Sequence, residues 1–228
     1  MMINVKLPVI FLSMFFSACA PAFQVDTLSK IILKDDDSLV LTGDTGREYI
    51  YTSLSRVRVD RGGNIHEAIL APDDIENWPV IIEPGEVILD QGDEVRVRIN
   101  RNGPQDKDDI VLGLSFIPES TTNNSPKGTG LQISVGYKAW LFIPGTAPLS
   151  GDVTAYRKAN KIVINNTTNK ILRIMVHGDN RSGSGNGTDN SLMSLPGTKK
   201  EIDATKGKLI LDIYGIDGMQ KKVKELVL

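Results

Sequence analysis

Cysteine is almost missing from this chain. The 228 residues include one, Cys19, and it lies in the apolar N-terminal stretch. No disulfide framework is possible, so stability must come from core packing. Histidine is scarce too, with only His66 and His177. Neither stands at a metal-ligand spacing from another His, Cys or carboxylate, so no metal site is expected. An excess of basic charge is lacking: 26 Lys and Arg face 28 Asp and Glu, for a formal net charge of −2. A nucleic-acid partner therefore has no electrostatic support. After residue 22 no apolar run approaches the length needed to cross a bilayer. No amphipathic helix of three turns is found either.

What is present begins with an export signal. Lys6 precedes the apolar run LPVIFLSMFF at 7–16, and Ala20-Pro21-Ala22 supplies a small-x-small cleavage pattern. Residues 1–22 are read as a signal peptide, with a soluble, exported chain starting near Phe23. A second reading makes Phe16-Ser17-Ala18-Cys19 a lipoprotein box with Cys19 lipidated, although Phe is a poor first residue for such a box. The hydrophobic fraction of 40% is ordinary for a globular protein and argues against long disordered tracts.

Turn residues punctuate the rest every ~8–12 residues, which is the all-β signature. Strands are expected at 30–33, 38–41, 49–59, 80–82, 94–99, 110–117 and 131–143. After a linker-like GTAPLSGD at 145–152, more follow at 161–164, 171–176, 201–202, 209–213 and 221–227. Residues 179–190, DNRSGSGNGTDN, read as a loop. The layout fits two β-sandwiches, at 23–145 and 146–228. In the segment LQISVGYKAWLFIP at 131–144, Leu131, Ile133 and Val135 alternate with Gln132, Ser134 and Gly136. That strand has two unlike faces. Its apolar residues either face their own core or form an outward binding strip, and pattern alone leaves both open.

Enzyme chemistry finds little support. Asp44-Thr45-Gly46 matches the triplet of aspartic proteases, but it occurs once and Arg47 follows it. A β-turn fits better. The glycines at 183–187 are followed by no Lys-Ser or Lys-Thr, so they make no phosphate loop. Asp35-Asp36-Asp37 lacks the alternating ligands of a calcium loop and reads as a solvated turn. No catalytic residue, metal, nucleotide or other cofactor is expected.

Several segments together resemble the PapD-like periplasmic pilus chaperones of the chaperone–usher pathway. They are PVIIEP at 79–84, RVRI at 96–99, IVLGLSFIP at 110–118 and LQI at 131–133. In the second half they are INNT at 164–167, SLPG at 194–197 and LDIYG at 211–215, all in family order. The resemblance implies two immunoglobulin-like sandwiches in an L with a cleft between them. It implies a periplasmic chaperone that binds pilus or fimbrial subunits by donor-strand complementation and delivers them to an outer-membrane usher. On that analogy Leu131, Ile133 and Val135 enter the subunit groove by β-strand addition. The subunit's terminal carboxylate is held by two cations. Lys30 stands at the first anchor position. The family's second lysine falls on Trp140, and Lys138, two residues earlier, takes its place on the same strand face. Ile143 stands where the family has an arginine, so its tie to a second-domain aspartate, for which Asp212 is the nearby candidate, is open. Self-association of the free chaperone is a further possibility. The rival reading is a structural or adhesive β-sandwich protein, either a pilus subunit or a surface lipoprotein.

Overall fold

The computed structural model of the chain describes residues 23–44, 46–119, 135–178, 190–203, 207–217 and 222–228. These form seventeen strands and one short 3-10 helix, Pro72–Asn77. The first ten strands are β1 (Gln24–Val25), β2 (Ser29–Ile31), β3 (Asp36–Thr42), β4 (Glu48–Val59), β5 (Ile65–Ile69), β6 (Val80–Glu83), β7 (Glu86–Leu89), β8 (Glu94–Arg101), β9 (Ile110–Pro118) and β10 (Tyr137–Ile143). The rest are β11 (Val153–Lys158), β12 (Lys161–Asn166), β13 (Leu172–Gly178), β14 (Asn190–Ser194), β15 (Lys199–Asp203), β16 (Leu209–Gly215) and β17 (Lys222–Val227).

The first sandwich packs sheet β1-β3-β8-β6 against a six-stranded sheet ordered β2-β10-β9-β4-β5, with β7 also on β4. The second packs β11-β12-β15 against β14-β13-β16-β17. Alternation explains both. In β8, Val97 and Ile99 are buried while Arg96 and Arg98 face water. In β9, Ile110, Leu112, Leu114 and Phe116 enter the first core, with Leu39, Leu41, Val97 and Leu141. The second core gathers Ile162, Ile164, Leu172, Ile174, Leu211 and Ile213. The all-β, two-sandwich expectation is met.

A third apolar cluster joins the sandwiches. Val57, Val111 and Phe142, on the outer face of the six-stranded sheet, pack with Ile171, Leu195 and Ile216 of the second half. Beside them Asp109, with its side chain 1% exposed, ties the two halves. Its Oδ1 accepts from Gly145 N at 2.8 Å and from Lys170 Nζ at 2.8 Å, and its Oδ2 accepts from Ile171 N at 2.7 Å. Asn166, fully buried, fixes the loop that carries Lys170. Its Nδ2 donates to Lys170 O and Ser194 O, both at 3.0 Å, and its Oδ1 accepts from Thr168 N and Oγ1.

Two expectations need correction. Asp36 and Asp37 belong to β3 and do not form a turn. The strand expected over 131–143 is a strand from Tyr137 to Ile143; Val135 and Gly136 precede it outside any strand. Leu131 and Ile133 lie outside the described residues, as does most of the loop expected at 179–190.

Candidate functional site

β10 is paired along its whole length on one side only. Its ladder with β9 runs from Tyr137 to Ile143. On the other side β2 runs parallel to it and covers only Trp140 to Phe142. Trp140 N donates to Leu28 O at 2.9 Å, and Phe142 O accepts from Ile32 N at 2.9 Å. Groups on that side belong to alternate residues, so the N–H and C=O of Lys138 point to the same uncovered edge. Among the described residues, no strand covers β10 there. Val135, 39% exposed, leads into this edge.

Strand register also decides which way each side chain points. Tyr137, Ala139, Leu141 and Ile143 face the first core. Lys138, Trp140 and Phe142 therefore face outward, on the side where Phe142 meets the second sandwich. Lys30 is paired with Leu141 and lies two residues from the buried Ile32, so it sits on the inner face. There its ammonium meets Asp37 Oδ1 at 2.8 Å and donates to Ser38 O, bridging the two sheets at the rim. Lys30 and Lys138 thus stand on opposite faces of the six-stranded sheet, and the structure does not bring them together.

Lys138 has other company. Its Nζ lies 2.6 Å from Glu67 Oε1 and 5.5 Å from the centroid of the Trp140 ring. Glu67 stands on β5, paired with Val57 of β4. The two side chains meet across the intervening strands β4 and β9, three strand spacings or roughly 14 Å measured perpendicular to the strands. Gly113 of β9 makes this possible. A Cβ there would lie 2.6 Å from Ser55 Oγ, 3.0 Å from Glu67 Oε1 and 3.2 Å from the Trp140 ring. Ser55 donates to the same Glu67 oxygen and has Gly113 O at 3.1 Å. The Lys138 ammonium, and then the Ser55 hydroxyl, hold the Glu67 carboxyl below its ordinary value. Sequence reading missed Glu67, Ser55 and Gly113. A glycine inside an apolar strand was the one available signal of close approach.

The remaining candidates have local roles. Asp60 Oδ2, in the β4–β5 turn, lies 2.9 Å from Nε2 of His66 at the start of β5. His177 Nε2 is 3.5 Å from Asp212 Oδ2. Lys222 Nζ is 2.9 Å from Asp212 Oδ1, close enough for an ion pair but off the hydrogen-bond direction. Asp212 thus pairs within its own sandwich, and the tie between sandwiches is made by Asp109 and Lys170. No cluster of three or more metal-ligating side chains occurs among the described residues.

Two sandwiches joined at an apolar seam, with β10 uncovered beside Lys138 among the described residues, have the fold seen in solved pilus chaperones. Solved structures carry the likeness. The class 5 fimbriae chaperone CfaA has 16% identity and a TM-score of 0.54, over 90% of this chain and 97% of its own. The Escherichia coli chaperone DraB has 15% and 0.51, over 92% and 98%. A Salmonella enterica structure of the SafA pilin with the SafB chaperone has 14% and 0.53, over 93% and 98%. At these identities the likeness is one of fold. The sequence goes further. Residues 25–144 match the family described as CS5 fimbrial protein N-terminal domain. An Escherichia coli relative, the uncharacterized 25.9 kDa protein in the CS5 3′ region, is 35% identical over 166 residues, 72% of each chain. The chain belongs to the CS5 fimbrial protein family.

Proposed function

We propose that this protein is a periplasmic chaperone for pilus subunits, which it binds by lending them the free edge of β10. The single observation behind this reading is the uncovered side of β10 at Lys138, continuous with the exposed Val135. A subunit lacking a strand would pair with that edge through its backbone, and main-chain bonds would supply affinity for many sequences. Leu131, Ile133 and Val135 would supply the alternating apolar contacts, each worth about 1.5–3 kcal/mol if fully buried. Lys138 receives the subunit's terminal carboxylate on the outer face, beside Trp140. Lys30 acts from the other face, holding β2 in place alongside β10. Transfer to an outer-membrane usher follows from the chaperone role, with no nucleotide and no cofactor. Export by residues 1–22 would bring the chain to the periplasm.

The test is co-expression with the fimbrial genes of its own locus, followed by purification and amide exchange. The expected outcome is a complex with a subunit in which exchange at the Lys138 amide slows at least about tenfold relative to the free protein. Recovery of the chain always alone, or a complex in which Lys138 stays unprotected, would sink the proposal.

A further inference from the structure

We infer that Glu67 is a resident carboxylate that occupies Lys138 in the free protein and must be displaced when an incoming chain end takes the ammonium. This rests on the reading of β10 as the subunit edge. The geometry carries it. Lys138 is the outward cation of the uncovered stretch, and Glu67 Oε1 already lies 2.6 Å from its Nζ. The carboxylate comes from the far side of the sheet: β5 is an edge strand exposed along its whole length, and its partner β4 lies between it and β9. The floor between them is cleared by Gly113, whose missing Cβ would collide with Ser55 and crowd Glu67 and Trp140. Ser55 then donates to the Glu67 oxygen that faces Lys138. The arrangement copies the contacts a foreign carboxylate would need: an ammonium, a hydroxyl donor and an aromatic wall.

The pair can exchange. Lys138 and Glu67 keep 37% and 32% of their side-chain surface in water. Exposed pairs of this kind are weak and are broken by salt. Glu67 has the advantage of being tethered, so it competes as a ligand of high local concentration. An occupied ammonium also stays shielded from unrelated anions, and only a chain end that pairs with β10 at the same time gains enough to displace Glu67. Glu67 is then a specificity-determining residue, setting how strongly a carboxylate is required.

Two synthetic peptides of one alternating valine–threonine sequence test this, one ending in a free carboxylate and one in an amide. They are titrated into the intact protein, Glu67→Gln, Lys138→Met and the double variant. Glu67→Gln should tighten the carboxylate peptide about two- to fivefold and leave the amide unchanged. Lys138→Met should abolish the preference for carboxylate, with or without Glu67. A Glu67→Gln that leaves the carboxylate peptide unchanged, weakens it, or tightens both peptides equally overturns the inference. If no variant binds either peptide, the edge reading fails. The occupancy of Lys138 is then decided by acetate, followed through the Lys138 Cε resonance. Acetate should perturb Glu67→Gln at lower concentration than the parent, and equal titrations overturn it.

Discussion

At the scale of the residue, a missing methyl group organises the outer face of the six-stranded sheet. Gly113 lies in a strand of mostly apolar residues, where glycine normally weakens the structure. Here it makes room for Ser55, Glu67 and the Trp140 ring. Gly113→Ala is expected to cost about 1–3 kcal/mol, the usual range for overpacking, and to separate Glu67 from Lys138. Urea unfolding measures the first effect, and the Trp140 emission reports the second. Ionisation gives another prediction. Glu67 is held low by Lys138 and Ser55, Asp60 by His66 and Asn64, Asp90 by Arg47 and Asp152 by Lys224. A carboxyl with a lower pKa folded than unfolded stabilises fully above its unfolded value, near ~4, and loses that as pH falls through the folded value. Lys222 is raised by Glu225 and Asp212, so its contribution is complete below about pH 10 and lost as pH rises further. Burial lowers Lys200, which opposes Lys222 on the basic side. On the acid side, thermal midpoints should decline as pH falls below about 4. A midpoint that rises on acidification from pH 5 to pH 3 would contradict the assignment. In the sequence, Lys30 and Lys138 were legible as cations on strands. Their faces were not, because register fixes the face and a single-residue slip reverses it. Pairing Lys30 with Leu141 turned it inward.

At the scale of the element, the legible strands were those with a buried face. β3, β4, β8, β9, β12, β13 and β16 carry regular apolar alternation or continuous apolar runs, and most were expected within a few residues of their true bounds. The missed ones are short or exposed. β1 has two residues, and β5, IHEAI, is exposed at every position. Their strand state comes from pairing with β3 and β4, which no local pattern announces. β10 itself was legible as a strand, but its open side was not, since that depends on how far β2 extends along it. The open side makes a separable prediction. Lys138 lends no backbone group to β9, so proline at 138 removes an amide that the protein's own fold does not use. Lys138→Pro should keep the first sandwich folded, judged by its unfolding transition, yet lose subunit binding altogether. Lys138→Met, which keeps the amide, should lose only the carboxylate-dependent part. Equal binding losses in the two variants would show that the ammonium, and not the edge, carries the interaction.

At the scale of the whole molecule, two separate cores are joined by a small seam. Val57, Val111 and Phe142 look in the sequence like ordinary core residues, because a strand buried on both faces reads as one apolar run. Their assignment to the seam needed the second sandwich in place. The polar half of the seam was just as hidden: Asp109 ends a charged loop, and Lys170 sits in a turn 61 residues away. Together they remove two charges from water, with Lys170 at 12% and Asp109 at 1% side-chain exposure. Such a pair adds little net stability over an apolar substitute, but breaking it leaves one charge buried alone. Asp109→Ala should cost about 3–5 kcal/mol on that ground. Asp109→Asn keeps one acceptor oxygen, enough for either Ile171 N or Gly145 N but not both, so it should cost less than Asp109→Ala while still destabilising. The distinguishing result concerns cooperativity. With Asp109 in place the sandwiches should unfold in one calorimetric transition, because Ile171 and Lys170 are pinned to the start of β9. In Asp109→Ala the smaller sandwich should melt first and the endotherm should split. Adding Phe142→Ala should widen the split, since it removes the largest side chain among the buried residues of the seam. The edge of β10 lies in the larger sandwich, so peptide binding by that edge should survive the split while binding of a whole subunit, which would rest on both sandwiches, should fall. A double variant that still melts in a single transition would place the coupling elsewhere.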